Sequence, residues 1–210
     1  MFDIVRVEPA QTMASASPAR PSPLQPEDWI RAAFARLTAQ GIETVRVELL
    51  ARDLGASKGS FYWHFHDRED LLAQMLIRWE SDETEWLDAS PDTDSRAAVR
   101  WARFVERSAD YERARLEAAL RDWARRDDRI ASRITAIEKK RGAHIASVLR
   151  DVGFTPPAAD SWAEVALLVY LGWVDRATRD PGFQLAGHTL GEFLSDLILA
   201  ASAPSGRAPR

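Results

Sequence analysis

The stretch 56-ASKGSFYWHFHDRED-70 decides how this chain folds. Ser57, Lys58, Gly59 and Ser60 are small, polar or cationic; Phe61, Tyr62, Trp63 and Phe65 then bring four aromatic rings, with His64 and His66 among them. A core segment would not carry so much polarity, and a solvated loop would not carry so much aromatic surface. Ser57 suits the N-cap of a short helix reaching to about His64, because its hydroxyl accepts from a backbone N–H left orphaned in the first turn. At about 3.6 residues per turn, Phe61 and Phe65 share one face, which is assigned to the core. Tyr62, Trp63 and His64 are left outside, beside two hydroxyls and the Lys58 ammonium.

Upstream, residues 47–54 read as another short helix with Leu49, Leu50 and Leu54 apolar, broken by Gly55. Before it a helix starts at Pro26, a residue suited to the first turn because it has no N–H to orphan. Ile30, Ala33, Phe34 and Leu37 mark its apolar face, and Gly41 stops it in a left-handed cap. Two short helices joined by a tight glycine turn and packed on a preceding helix make a helix-turn-helix, whose second short helix enters the DNA major groove. Phosphate contacts call for cations, hydroxyls and free N–H groups, which Ser57, Lys58 and Ser60 supply, while Gly59 permits close backbone approach.

Downstream, Asp67 caps a long fourth helix with Leu72, Met75, Leu76, Trp79 and Trp86 on one side, ending before a break at Ser90-Pro91. Four or five helices follow. They are marked by Trp101, Phe104 and Val105; by Leu116, Leu120 and Trp123; by the Ile130 to Val152 series closed by Gly153; by residues 162–179, apolar nearly all round; and by residues 190–199. The expected fold is all-α. A helix-turn-helix DNA-binding domain is expected over 26–66 and a helical domain over 67–202. Flexible tails at 1–25 and 203–210 are rich in Pro, Ala and Ser or too short to bury a core.

Composition narrows the function classes. The chain has 210 residues, a formal charge of −4 and no cysteine, so neither a disulfide framework nor a thiolate metal site is available. The four histidines, His64, His66, His144 and His188, show no zinc-ligand spacing, and no metal or cofactor is expected. MFDIVRVEPA lacks a leader's charged-then-apolar order. The longest apolar run, 165–174, is half of the ~20 residues a membrane span needs, so a cytoplasmic protein without membrane contact is expected. No G-x-S-x-G, G-x-G-x-x-G, Walker or H-E-x-x-H motif is present, which argues against an enzyme.

Residues 27–76 resemble the DNA-binding domain of the TetR family of bacterial transcriptional regulators. The resemblance lies in Gly41, Leu50-Ala51, the run from Leu54-Gly55 through Phe65, Arg68 and Leu71-Leu72. It implies a homodimer on a roughly palindromic operator, usually a repressor released by a small ligand through a pendulum-like shift of the fourth helix. To the helical domain over 67–202 it assigns effector binding and dimerisation. It assigns DNA contacts to Ser57, Lys58, Gly59, Ser60, Tyr62, Trp63 and His64, with Arg68 a further cation at the start of the fourth helix. Arg46, counted with the DNA-binding set, stands where the family usually has Ser or Thr. Glu48 stands where a base-reading polar or basic residue is common.

Trp79, Trp101, Phe104, Trp123 and His144 are candidate liners of an effector cavity. A mostly apolar lining would favour an aromatic or lipophilic ligand, and the plainer alternative is that these are core aromatics. Residues 162–179 and 190–199 carry more apolar surface than lone amphipathic helices need, which fits an isologous dimer interface; burial within one subunit is the alternative. Across residues 27–70 six cations face eight anions, a balance of −2. Counterion release therefore gives little non-specific DNA affinity, and an adaptor whose helix-turn-helix no longer binds DNA stays open as another class.

Overall fold

A computed structural model describes residues 24–88, 97–180 and 191–192. The expected tails (apart from Leu24 and Gln25), the Ser90-Pro91 break and most of the 190–199 helix lie outside the described residues. Those described are all-α: α1 (Pro26–Gln40), α2 (Val47–Asp53), α3 (Lys58–Tyr62), α4 (Arg68–Asp88), α5 (Ala97–Ser108), α6 (Tyr111–Ala124), α7 (Asp128–Asp151) and α8 (Pro156–Arg179), with a single 3-10 turn at Ile42–Thr44.

α1 begins as its sequence predicts, with Pro26 in the first turn and a capping box in which the Gln25 N–H donates to Asp28 at 2.9 Å. Its core face is rotated from the expected one: Trp29, Ala33 and Leu37 are buried, while Ile30 and Phe34 are only half-buried. Gly41 has φ 83° and ψ 172°, so the stop uses a positive φ but not the left-handed helical region expected for it. Only glycine adopts that conformation readily. α2 ends in a Schellman motif: the Ala56 N–H reaches Ala51 O at 2.8 Å, the Gly55 N–H reaches Arg52 O at 3.2 Å, and Gly55 takes φ 61°. That turn sets α3 against α2.

Two apolar cores organise the described residues. The first joins Trp29, Leu37, Leu50, Phe61, Phe65 and Leu71 to Met75 and Trp79, and continues into Leu120 and Trp123 of α6 and Ile130, Ile134 and Ile137 of α7. The second joins Trp101 and Phe104 of α5 to Ile145, Val148 and Leu149 of α7 and to Ala163, Leu167, Tyr170 and Trp173 of α8. α4 reaches both, with Trp79 in the first core and Trp86 packed against the second. α8 buries one face through Ala159, Ala163, Ala166, Tyr170 and Val174 but leaves Val165 and Leu168 exposed. No described helix is long and apolar enough to cross a membrane.

Candidate nucleic-acid interface

α3 owes its position to Phe61, which is fully buried. Its ring meets Trp29 of α1 edge-on at 5.3 Å and stacks on Phe65 at 5.2 Å. Burying two such rings on one face turns the neighbouring side chains outward. Tyr62 is 59% exposed and Trp63 87% exposed, while His64 is half-buried. An indole left that open in the free chain gains nothing from burial. The Ser57 hydroxyl accepts from the Ser60 N–H at 3.2 Å, fixing the first turn of α3. Ser57, Lys58 and Gly59 are exposed and Ser60 is half-buried, so the small and polar residues lie beside the two open rings.

The charges around this face are tethered. Lys58 Nζ lies 2.6 Å from Glu48 Oε1, linking the first turn of α3 to the first turn of α2. That bond holds the Glu48 carboxyl below its ordinary range. Arg36 of α1 grips Asp53 of α2 through Nε and Nη2 at 2.5 and 2.7 Å, which keeps the Asp53 carboxyl low as well. Arg46 is exposed at the N-cap of α2 without a side-chain cap bond, and its Nε donates to Glu43 O at 2.8 Å.

Arg68 faces inward. Its Nε donates to Val45 O at 2.6 Å, Nη2 to Ile42 O at 3.1 Å and Nη1 to Glu69 at 2.9 Å. Expected as a DNA contact, it braces the 3-10 turn against α4 through two of its nitrogens, while Nη1 meets Glu69 at the surface.

The five residues expected to line an effector cavity do not converge. Trp79 and Trp123 sit in the first core. Trp101 and Phe104 sit in the second, where Phe104 stacks near half-buried His144 at 6.2 Å and Trp86 approaches both at 6.1 and 6.0 Å. Burial holds the His144 imidazole below its ordinary range, with Arg100 adding to the effect.

Beside this aromatic group lies a feature the sequence reading missed, a buried ionic network. Glu83 of α4, Glu117 of α6 and Arg141 of α7 are each over nine-tenths buried. Arg141 Nη2 donates to Glu83 at 2.8 Å and to Glu117 at 3.1 Å. Burial works against the Glu83 carboxylate, but Arg141 and Arg113 outweigh it and keep the group ionised. A signal for the network exists in the sequence. Glu83 falls four residues after Trp79, Glu117 three before Leu120, and Arg141 four after Ile137 and four before Ile145, so a charge stands on the apolar face of each of three helices.

Residues 30–75 match the sequence model of bacterial regulatory proteins, tetR family. No curated protein matches the chain. Among solved structures, the chain is similar to a transcriptional regulator from Rhodococcus sp. Rha1, with TM-score 0.68 at 20% identity over 85% of this chain and 97% of that one. It is also similar to a putative transcriptional regulator from Saccharomonospora viridis in complex with choline, with TM-score 0.70 at 19% identity over 82% and 94%. A third similar structure is SmeT, the repressor of the Stenotrophomonas maltophilia multidrug efflux pump SmeDEF, with TM-score 0.64 at 20% identity over 87% and 92%. At these identities the likeness is one of fold.

Proposed function

We propose, from the premise that the N-terminal domain of this chain belongs to the TetR family of bacterial regulators, that the protein is a transcriptional repressor binding a palindromic operator as a homodimer. A small aromatic or lipophilic effector releases it. The observation that carries this reading is the outer face of α3, where Tyr62 and Trp63 stand open to solvent beside Ser57, Lys58 and Gly59. Buried Phe61 holds that face rigid from behind. Tyr62, Trp63 and His64 then meet base edges or sugar, and Ser57, Lys58 and Ser60 meet phosphates. Arg46, exposed at the start of α2, is a further phosphate contact. Arg68 acts indirectly, by fixing the turn before α2.

Two features support the rest. The exposed Val165 and Leu168 on α8 offer apolar surface to a second copy. α4 runs from the first core to the second, so an effector that repacks the body moves the recognition helices. Paired half-sites recur about 34–36 Å apart, and a shift of a few ångströms breaks several contacts together. The effector must bind one arrangement better than the other to shift the balance.

Selection of bound duplexes from random DNA by the full chain tests the reading. Enrichment of two inverted half-sites is expected, together with a solution mass about twice 23.6 kDa by light scattering. No enrichment over the input pool overturns DNA recognition, and a folded monomer at micromolar concentration overturns the dimer.

A further inference from the structure

A buried carboxylate is usually satisfied by one cationic partner, but Glu83 has three. Arg141 of α7 binds one oxygen, while Arg113 of α6 and Arg107 of α5 share the other. Glu117 shares Arg141 and takes Arg121, which also holds Glu138. This connected set has four guanidiniums and three carboxylates, so it carries one positive charge in excess. The excess is concentrated at Arg107. Its Nη2 lies 3.3 Å from Glu83, longer than the 2.8 Å contact from Arg141, and its buried Nε has no hydrogen-bond partner. Burial pulls its pKa down and the neighbouring Arg113 adds to the fall. The guanidinium stands 4.7 Å above the Trp86 ring, an arrangement that holds the cation without neutralising it.

A cavity of about 20 Å³ opens at this point, lined by the rings of Trp86, Phe104 and Tyr170 and by the Glu83 carboxylate with its three arginines, Arg107, Arg113 and Arg141. A water needs roughly 10–15 Å³ on such a measure. The space as it stands holds little more than one water, so a larger group enters only as Glu83 and its arginines part. Its requirements are specific: one negative charge, a planar acceptor matched to a guanidinium fork, and an apolar continuation along aromatic walls.

We propose that this cavity receives the carboxylate of the effector, with Arg107 as its partner and Trp86 and Phe104 against the carbon skeleton. The inference rests on the effector-released regulator described above and gives that effector a chemical class, a lipophilic or aromatic monocarboxylate. An entering carboxylate competes with Glu83 for Arg107 and Arg113. It thereby loosens the hold of α5 and α6 on α4, one of the helices that pack into the DNA-binding core.

Calorimetric titration of the full chain with phenylacetate and octanoate, each against its amide and its amine, tests this. The carboxylates are expected to bind at least about tenfold more tightly than the amides, the worth of one charge-assisted pair, and the amines not at all. In Arg107→Met the preference for carboxylate over amide should disappear. Equal binding of acid and amide, tighter binding of an amine, no binding of either acid, or a preference that survives in Arg107→Met each overturns the proposal. Should that variant fail to fold, the acid-against-amide comparison on the unaltered chain decides alone. Operator binding by the ligand-free chain is followed in parallel. Its presence without a carboxylate preference removes the anion site and leaves the regulator, whereas its absence removes the regulator itself.

Discussion

Around Phe61 the buried contacts are apolar, with Trp29 edge-on, Phe65 stacked and Leu71 and Met75 in the same core. Around Glu83, on a helix that reaches from one core toward the other, the buried contacts are ionic, made by arginines from three other helices. The first arrangement depends on area and shape, so neighbouring solutions of similar volume cost little. The second depends on pairing, and removing one partner leaves a charge stranded away from water. The DNA-binding core thus tolerates small changes of shape and offers a competing charge nothing to exchange with. The body has contacts that a competing charge can exchange, as expected of the half that must respond.

The comparison can be broken at its strongest point by Arg141→Met. That change removes the cation Glu83 and Glu117 share, leaving Arg113 and Arg107 on the first and Arg121 on the second, and is expected to cost about 3 kcal/mol in denaturant melts. If it proves neutral, the network contributes nothing and the contrast falls. Phe61→Leu, made in the apolar core with similar volume, is expected to cost only about 1–1.5 kcal/mol by the same melts. A cost equal to that of the arginine variant would show both regions to be equally rigid.

Outside both cores, Lys58→Ala removes an exposed tether to Glu48. Stability should stay within about 0.5 kcal/mol, while the salt dependence of operator affinity becomes shallower by about one unit of slope. An unchanged slope in gel shifts across a salt series would remove Lys58 from the phosphate contacts.

The smallest effect concerns pH. His144 is held below its ordinary pKa of 6.5 by burial, so the unfolded chain takes up its proton first as pH falls. Its contribution is complete above about 6.5 and is lost as pH drops toward the lowered folded value. His144→Phe should flatten the melting temperature across that window, and an unaltered slope would mean that His144 is not the group responsible.

Much of α3 was legible in the sequence. Phe61 and Phe65 are separated by one helical turn and Tyr62 and Trp63 fall between, so assigning one face settles the other. α1 was less legible. Its apolar residues cover more than one face, and the misreading amounts to one residue: Trp29 and not Ile30 leads the buried row. Arg68 shows a different limit. Periodicity places a cation near the start of α4 but cannot say whether it meets solvent or the carbonyls of Ile42 and Val45, which approach only through the tertiary fold. The aromatic residues of the body were identified as buried, but their grouping depends on which side of α4 each one packs. Trp79 and Trp123 accordingly separate from Trp101 and Phe104. The ionic network was readable in principle, as charges standing on apolar spacing, but each looks like an isolated exception until the helices are brought together.

The openness of Trp63 has a practical corollary. The other seven tryptophans are buried or half-buried, so a neutral collisional quencher such as acrylamide reaches the indole of Trp63 first. Its emission is a built-in optical reporter of whatever docks against α3, and shielding by a duplex can be read from the unlabelled chain.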